Sequence, residues 1–135
     1  MADPEFEPYV RAWQERARRE KAARQRAVQE ALAEACRIAD MLVSEFGAGE
    51  VWLFGSLARA VKGSEAFHEH SDIDLAVDRI PGVRYFAAVS EALGVASRSV
   101  QIVELASCRP ALASLIRKEG IRLRGSTGAD VADPC

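Results

Sequence analysis

The sequence has few of the features that mark membrane, exported or metal-stabilised proteins. No apolar run reaches the roughly 18 to 20 residues that a membrane-spanning helix needs, and the N-terminus has no apolar signal core. The chain has only three cysteines, widely spaced and without a Cys-x-x-Cys pair. This usage predicts neither a disulfide framework nor a zinc site, and it favours a reducing compartment. We therefore expect a soluble, cytoplasmic protein with no membrane partner.

The sequence also lacks an excess of either charge. Its 18 Lys and Arg stand against 20 Asp and Glu, a net charge of -2. Because such a balance does not attract a polyanion, nucleic acid is not an expected partner. The 135 residues are long enough for one hydrophobic core and too short for two. A composition of 49% hydrophobic and 28% charged residues is typical of globular proteins.

The N-terminal third predicts one long helix that follows a short leader. Residues 1–8 contain two prolines and three acids, and we expect them to be disordered or to derive from cloning sites. From Tyr9 to Phe46 there is no Gly or Pro, which favours an uninterrupted helix. Its second half carries apolar residues every three or four positions, which predicts a face packed on a core, at Val28, Leu32, Ala35, Ala39, Leu42 and Phe46.

The first half of this helix, residues 9–27, is interpreted as a basic arm. Between positions 11 and 26, seven Lys and Arg against two Glu leave a local charge of +5. A helix over residues 9–46 is about 57 Å long, whereas a domain of this size has a radius of gyration of about 14 Å. The arm is therefore expected to bend back, fray or project. Three roles stay open: a solvated helix with internal ion pairs, a docking surface for a partner or a second copy, or an RNA contact.

The rest of the chain alternates short strands and helices. The apolar and alternating patterns predict strands at 51–54, 72–77, 100–105 and 121–124, with helices at 57–61, 84–93 and 110–119. Residues 28–124 are therefore expected to form one α/β domain. Residues 125–135 are expected to be a disordered tail.

Two aspartates in one of the predicted strands are the strongest candidates for chemistry. Residues i and i+2 of a strand lie on the same face about 6.6 Å apart, so Asp72 and Asp74 crowd one another while Ile73 and Leu75 face the core. Two carboxylates placed in this way attract a cation, and Mg²⁺ commonly binds through one or two carboxylates plus nucleotide phosphates. The alternative is a solvated strand face.

A second candidate lies where the first strand turns into a helix. Gly55 and Ser56 occupy that turn, where free backbone N–H groups and the positive end of a helix are available to phosphate oxygens. Ser56 adds a hydroxyl donor, and Arg59 lies one turn into the helix, where its guanidinium can reach a phosphate. The alternative is an ordinary turn with a serine cap.

Together, the segments 51–59 and 67–77 resemble the Gly-Ser and Asp-x-Asp signature of the polymerase-β-like nucleotidyltransferase superfamily, and more narrowly the minimal nucleotidyltransferases that act as antitoxins beside HEPN-domain toxins. The likeness covers about residues 28–124. It implies a nucleotidyltransferase fold with a small mixed sheet, ATP and Mg²⁺ as donor and cofactor, Gly55, Ser56 and Arg59 as nucleotide-binding residues, and Asp72 and Asp74 as metal ligands. It also implies transfer of AMP to a hydroxyl of a HEPN-type toxin.

The chain departs from the family pattern in two places. Fifteen residues separate Ser56 from Asp72, about five more than usual, and a surface loop tolerates that length. More seriously, Gln101 stands where the family has a third catalytic carboxylate on the third strand. A Gln carbonyl ligates a metal weakly and takes no proton. Glu104 is no substitute, because positions three apart in a strand face opposite sides.

Two functions from different classes therefore remain. The first is an ATP- and Mg²⁺-dependent adenylyltransferase that modifies a partner protein, with Asp72, Asp74 and Gln101 at its catalytic centre. The second is a catalytically impaired or inactive relative that neutralises a partner by direct contact, with the long helix also available for self-association. An antibiotic nucleotidyltransferase is disfavoured, because little chain remains to hold such an acceptor.

Overall fold

The computed structural model of the protein describes residues 6–63, 67–68, 70–125 and 134–135. The expected disorder of residues 1–5 and 126–133 concerns positions outside these ranges. Among the described residues, no helix is both long and apolar enough to pass through a membrane.

Helix α1 runs from Glu7 to Ser44 without interruption. It begins two residues before the predicted start, because Pro8 occupies the first turn, where a missing backbone N–H is tolerated. The predicted apolar stripe is confirmed, since all its members belong to the main core or pack against it. In contrast, every described residue from 6 to 23 is exposed, so the basic arm projects from the domain.

The remaining elements form a four-stranded sheet with three further helices. In chain order they are β1 (Glu50–Phe54), α2 (Gly55–Val61), β2 (Ile73–Asp78), α3 (Gly82–Val95), β3 (Val100–Glu104), α4 (Pro110–Glu119) and β4 (Ile121–Gly125). The strand order is β3-β2-β1-β4. Strand β1 is antiparallel to both β2 and β4, whereas β2 and β3 are parallel. The prediction of a small mixed sheet with flanking helices is confirmed.

Helices cover both faces of this sheet, and the alternation of side chains along β2 explains why. Ile73, Leu75 and Val77 are fully buried in the main cluster with α1, α2 and α3. Ala76 points to the opposite face and packs in a second cluster with Ile116 of α4. Asp74 shares the face of Ala76, so its carboxylate lies on the α4 side of the sheet.

A disulfide joins Cys36 of α1 to Cys135, and it corrects the expectation that the cysteines form no disulfide. The two residues are 99 positions apart in sequence, so their spacing does not predict the pairing. Cys36 lies among the buried residues of the core, and the bond ties the described C-terminal residues to it. Cys108 is the one free cysteine among the described residues.

Removal of this disulfide is expected to destabilise the domain. Because the bond closes a loop of about 100 residues in the unfolded chain, Cys135→Ser is expected to lower the free energy of unfolding by about 2–4 kcal/mol. Urea titration of the oxidised protein measures this difference, and Cys108→Ser is the matched control. If reduction of the wild type leaves its urea midpoint unchanged, the bond has no stabilising role.

Candidate functional site

The candidate residues meet at one end of the sheet, where β1 ends and β2 and β3 begin. Phe54 pairs with Asp74 across the antiparallel β1–β2 ladder, and Asp74 pairs with Gln101 across the parallel β2–β3 ladder. The last residue of β1 and the early residues of β2 and β3 therefore form one row. Gly55 directly follows this row, so the turn glycine, Asp74 and Gln101 lie close together in the folded chain.

Gly55 adopts a conformation that other residues rarely reach. Its φ is +74°, and a Cβ atom at this position would overlap the Asp74 carboxylate. Phe54 before it is fully extended, with φ -138° and ψ -174°, and makes no side-chain cap to helix α2. The chain thus turns sharply from strand to helix against the aspartate, and the first backbone N–H groups of α2 receive no cap from the Phe54 side chain.

The electrostatics of Asp74 show which charges surround it. Burial raises the pKa of the Asp74 carboxyl above its ordinary value, the nearby Asp72 carboxylate raises it further, and the Arg59 guanidinium lowers it. Both aspartates are half-buried, whereas Arg59 is exposed. The Asp74 carboxyl is therefore influenced by a second carboxylate, as the spacing of the two aspartates predicted, and by the Arg59 guanidinium, whose approach to Asp74 was not predicted.

An amide, Gln101, lies beside the two aspartates on the neighbouring strand. The Nε2 atom of Gln101 donates a long hydrogen bond of 3.5 Å to Oδ2 of Asp72. Gln101 thus faces the aspartate pair from the neighbouring strand and contributes no negative charge.

Glu104 lies on the opposite face of β3, as strand parity predicted. Burial and, secondarily, the Glu104 carboxylate raise the pKa of the Tyr85 hydroxyl on α3. That hydroxyl donates to the Ile102 carbonyl oxygen at 3.3 Å. Glu104 therefore faces α3 and lies away from Asp72.

Arg98 contacts the segment that precedes the aspartates, and its spacing in the sequence did not predict this contact. Its Nη1 donates to the Ser71 carbonyl oxygen at 3.4 Å, and its guanidinium lies over the Phe67 ring, 5.3 Å from the centroid. Ser71 directly precedes Asp72, so Arg98 holds the segment that carries the first aspartate. No spacing signal distinguishes this arginine from a solvent-exposed one.

The donor set fits Mg²⁺ that is shared with a nucleotide and does not fit a metal held by the protein alone. Asp72 and Asp74 supply hard carboxylate oxygens, and the Gln101 amide lies beside them. Within the described ranges no group of three or more His, Cys, Asp and Glu could enclose a metal ion. Mg²⁺ usually takes one or two carboxylates and completes its shell with water and substrate phosphates, so two aspartates are sufficient.

Gly55→Ala tests whether the turn at Gly55 is needed for nucleotide binding, and Gly47→Ala is the matched control. Both glycines have positive φ, +74° and +76°, so each alanine is strained by roughly 1–2 kcal/mol. Only at Gly55 would the new methyl group meet a carboxylate; nothing lies within 4 Å at Gly47. We expect Gly55→Ala alone to weaken ATP–Mg²⁺ binding at least about tenfold, as measured by calorimetry. Equal affinities in the two variants would contradict this role of the turn.

Solved structures with the same fold include toxin–antitoxin complexes. A chain in a crystal structure of a toxin–antitoxin with AMP-PNP matches with a TM-score of 0.56 and 21% identity, over 70% of this chain and 77% of its own length. A chain of the MntA–HepT toxin–antitoxin matches with a TM-score of 0.53 and 19% identity, over 73% and 76%. A Sulfolobus solfataricus protein assigned to the nucleotidyltransferases matches with a TM-score of 0.52 and 18% identity, over 76% and 87%.

No family model matches the sequence, and neither does any curated protein. At these identities the structural likeness establishes the fold, which is the nucleotidyltransferase fold that the sequence predicted.

Proposed function

We propose that this protein is a minimal nucleotidyltransferase of the antitoxin type, which uses ATP and Mg²⁺ to transfer AMP to a hydroxyl of a HEPN-type toxin. The observation that carries the proposal is the Asp74 carboxylate against the Gly55 turn, with the Asp72 carboxylate and the Arg59 guanidinium close enough to act on its pKa. The fold shared with toxin–antitoxin complexes supports the partner class.

Each residue has a defined part in this proposal. Asp72 and Asp74 hold Mg²⁺, which would neutralise phosphate charge and orient the leaving group. The backbone at Gly55 and the Ser56 hydroxyl donate hydrogen bonds to the terminal phosphates. Arg59 adds a cation to the same phosphates from the exposed side of α2.

The proposed reaction is a displacement at the α-phosphorus of ATP. The oxygen of the acceptor hydroxyl bonds to the α-phosphorus, the bond from that phosphorus to the β-phosphate bridging oxygen breaks, and pyrophosphate leaves. The hydroxyl proton passes to an aspartate carboxylate or to water, since Gln101 accepts none. This type of transfer relies chiefly on positioning and charge stabilisation, so a missing base slows it without abolishing it.

A second candidate is a binding module without catalysis, and the observation that favours it is Gln101. The amide faces Asp72 from the position where the family resemblance implies a third carboxylate. In that case the chain would neutralise its partner by contact, and the aspartate pair would retain at most nucleotide binding.

Labelled ATP separates the two candidates. The protein is incubated with Mg²⁺, the protein encoded by the adjacent gene, and ATP labelled at either the α- or the γ-phosphate. We expect the α-label on the partner and no γ-label, because AMP transfer releases the γ-phosphate in pyrophosphate. If ATP binds and no α-label is transferred, the catalytic proposal fails and the binding module is favoured.

A further inference from the structure

Glu34 is a buried carboxylate that the proposed site does not use. It lies in the second half of α1 and is 6% exposed, and within the described ranges it is the one charged side chain that is buried. Burial of a carboxylate is costly unless hydrogen bonds compensate for the lost water, and an apolar side chain of the same length would avoid that cost. The hydrogen bonds of Glu34 therefore indicate what this residue holds.

Both oxygens of the Glu34 carboxylate bind one residue of a neighbouring loop. This loop, residues 96–99, joins α3 to β3, and we call it the α3–β3 loop. The backbone N–H of Ser97 donates to Oε1 of Glu34, and the Ser97 hydroxyl donates to Oε2 at 2.7 Å. Hydrogen bonds to an ionised group are stronger than those between neutral groups. Helix α1 thus fixes the α3–β3 loop through Ser97.

The α3–β3 loop in turn holds the chain on either side of Asp72. Arg98 donates through Nη1 to the Ser71 carbonyl oxygen at 3.4 Å. The Ser99 carbonyl oxygen accepts a hydrogen bond of 2.9 Å from the Ile73 N–H. The backbone is therefore held directly before and directly after Asp72 by two residues of the same loop.

Asp72 depends on this loop more than Asp74 does. Asp74 lies inside β2 and pairs with Phe54 on one side and with Gln101 on the other, so the sheet itself fixes its position. Asp72 precedes β2, which begins at Ile73, and neither ladder of β2 includes it. Contacts from the α3–β3 loop therefore do for Asp72 what the sheet does for Asp74.

We infer that Glu34 is a positioning residue for Asp72, which it holds through Ser97 and the α3–β3 loop. The inference rests on the proposed function where it treats Asp72 as a metal ligand. Replacement of a residue that orients a metal ligand typically lowers metal affinity by about 10–100-fold. Loss of the Glu34 carboxylate is therefore expected to weaken the metal site while the domain stays folded.

Three substitutions separate positioning from general stability. Glu34→Met removes both acceptors and keeps the length of the side chain, and because Ser97 is exposed, its donors can bind water in this variant. Glu34→Gln is the conservative variant, since its amide oxygen still accepts from the Ser97 N–H and its amide N–H can donate to the Ser97 hydroxyl oxygen. Ile38→Val removes one buried methyl group from the same helix and is the control for a general loss of stability.

Hydrogen exchange of backbone amides tests the positioning without nucleotide or metal. The Ile73 amide reports the contact with the loop, and the Leu75 amide reports the paired middle of β2. We expect Glu34→Met to raise the exchange rate of Ile73 relative to Leu75 at least about tenfold, and Glu34→Gln and Ile38→Val to leave this ratio within about twofold of the wild type. An unchanged ratio in Glu34→Met would refute the inference. Ser97→Ala, which removes only the hydroxyl, takes its place if Glu34→Met does not fold.

Binding of Mn²⁺ tests the consequence for the site. Electron paramagnetic resonance gives the dissociation constant of Mn²⁺ from the full chain in the presence of a non-hydrolysable ATP analogue. We expect Glu34→Met to raise this constant about tenfold and Glu34→Gln to keep it close to the wild-type value. If Ile73 exchanges faster while the affinity for Mn²⁺ is unchanged, Glu34 serves the fold alone and the inference is wrong. A wild type that binds no Mn²⁺ overturns the proposed function, and the exchange ratio then decides alone whether Glu34 positions Asp72.

Discussion

Asp74→Asn is expected to lower AMP transfer by about 10³-fold or more. The substitution keeps the size of the side chain and removes one of the two carboxylates that would hold Mg²⁺. A bound Mg²⁺ stabilises the charge of the transition state by several kcal/mol. Each 1.36 kcal/mol of lost stabilisation lowers the rate about tenfold. The rate is measured with α-labelled ATP and the partner protein. In the metal-free protein we expect no loss of stability, because the substitution removes a charge disfavoured by burial and by Asp72.

The matched control is Asp78→Asn, the same substitution at the far end of the same strand. Asp78 ends β2 and lies 3.7 Å from Arg117, away from the aspartate pair. Its replacement is expected to leave transfer within about threefold of the wild type, because surface ion pairs contribute about 0–1 kcal/mol. Transfer by Asp74→Asn at more than one tenth of the wild-type rate would mean that Asp74 is not a metal ligand in the reaction.

Gln101→Asp is expected to raise transfer by about 10²-fold, within the usual range of about 10²–10⁴ for general acid–base catalysis. Asp74 pairs with Gln101 across the parallel strands, and the Gln101 amide already approaches Asp72 Oδ2 at 3.5 Å. A carboxylate at this position would therefore lie beside the metal ligands and could take the hydroxyl proton. Single-turnover measurements at saturating ATP report this change.

Gln101→Asn is the control for side-chain length, because it shortens the side chain as Gln101→Asp does and adds no charge. If both substitutions raise the rate of AMP transfer equally, the shorter side chain is responsible and no general base has been restored. If Gln101→Asp does not raise the rate of AMP transfer, the interpretation depends on the transfer rate of the wild type. A fast wild type then needs no third carboxylate, whereas a wild type without transfer supports the binding module.

The proximity of the candidate residues could be predicted from the sequence because the signals are local. The alternating pattern of residues 72–77 predicts Asp72 and Asp74 on one face, although β2 itself begins at Ile73. A glycine between an apolar strand and a helix predicts a tight turn. The structure adds why that glycine is required, since any side chain there would meet the Asp74 carboxylate. The influence of Arg59 on Asp74 was not predicted, because the sequence placed Arg59 only one turn into the helix, within reach of a phosphate.

Local sequence patterns could not predict two features of the structure. The Cys36–Cys135 disulfide joins residues 99 positions apart, and only the folded chain brings them together. The exposure of Val83 and Phe86 could not be predicted for a different reason. Apolar spacing shows that a helix has an apolar face, but it does not show whether the domain covers that face. The unbroken 38-residue helix was predictable from the lack of Gly and Pro. Its excess length left open whether the basic half bends back, frays or projects.

A crystal structure with Mn²⁺ and a non-hydrolysable ATP analogue would show whether the two aspartates hold a metal, because the anomalous signal of manganese locates the metal independently of the protein atoms. We expect manganese bound to carboxylate oxygens of both Asp72 and Asp74, with the analogue's phosphates against the backbone of Gly55 and Ser56. A structure in which the analogue binds elsewhere, or in which the metal contacts neither aspartate, would contradict it.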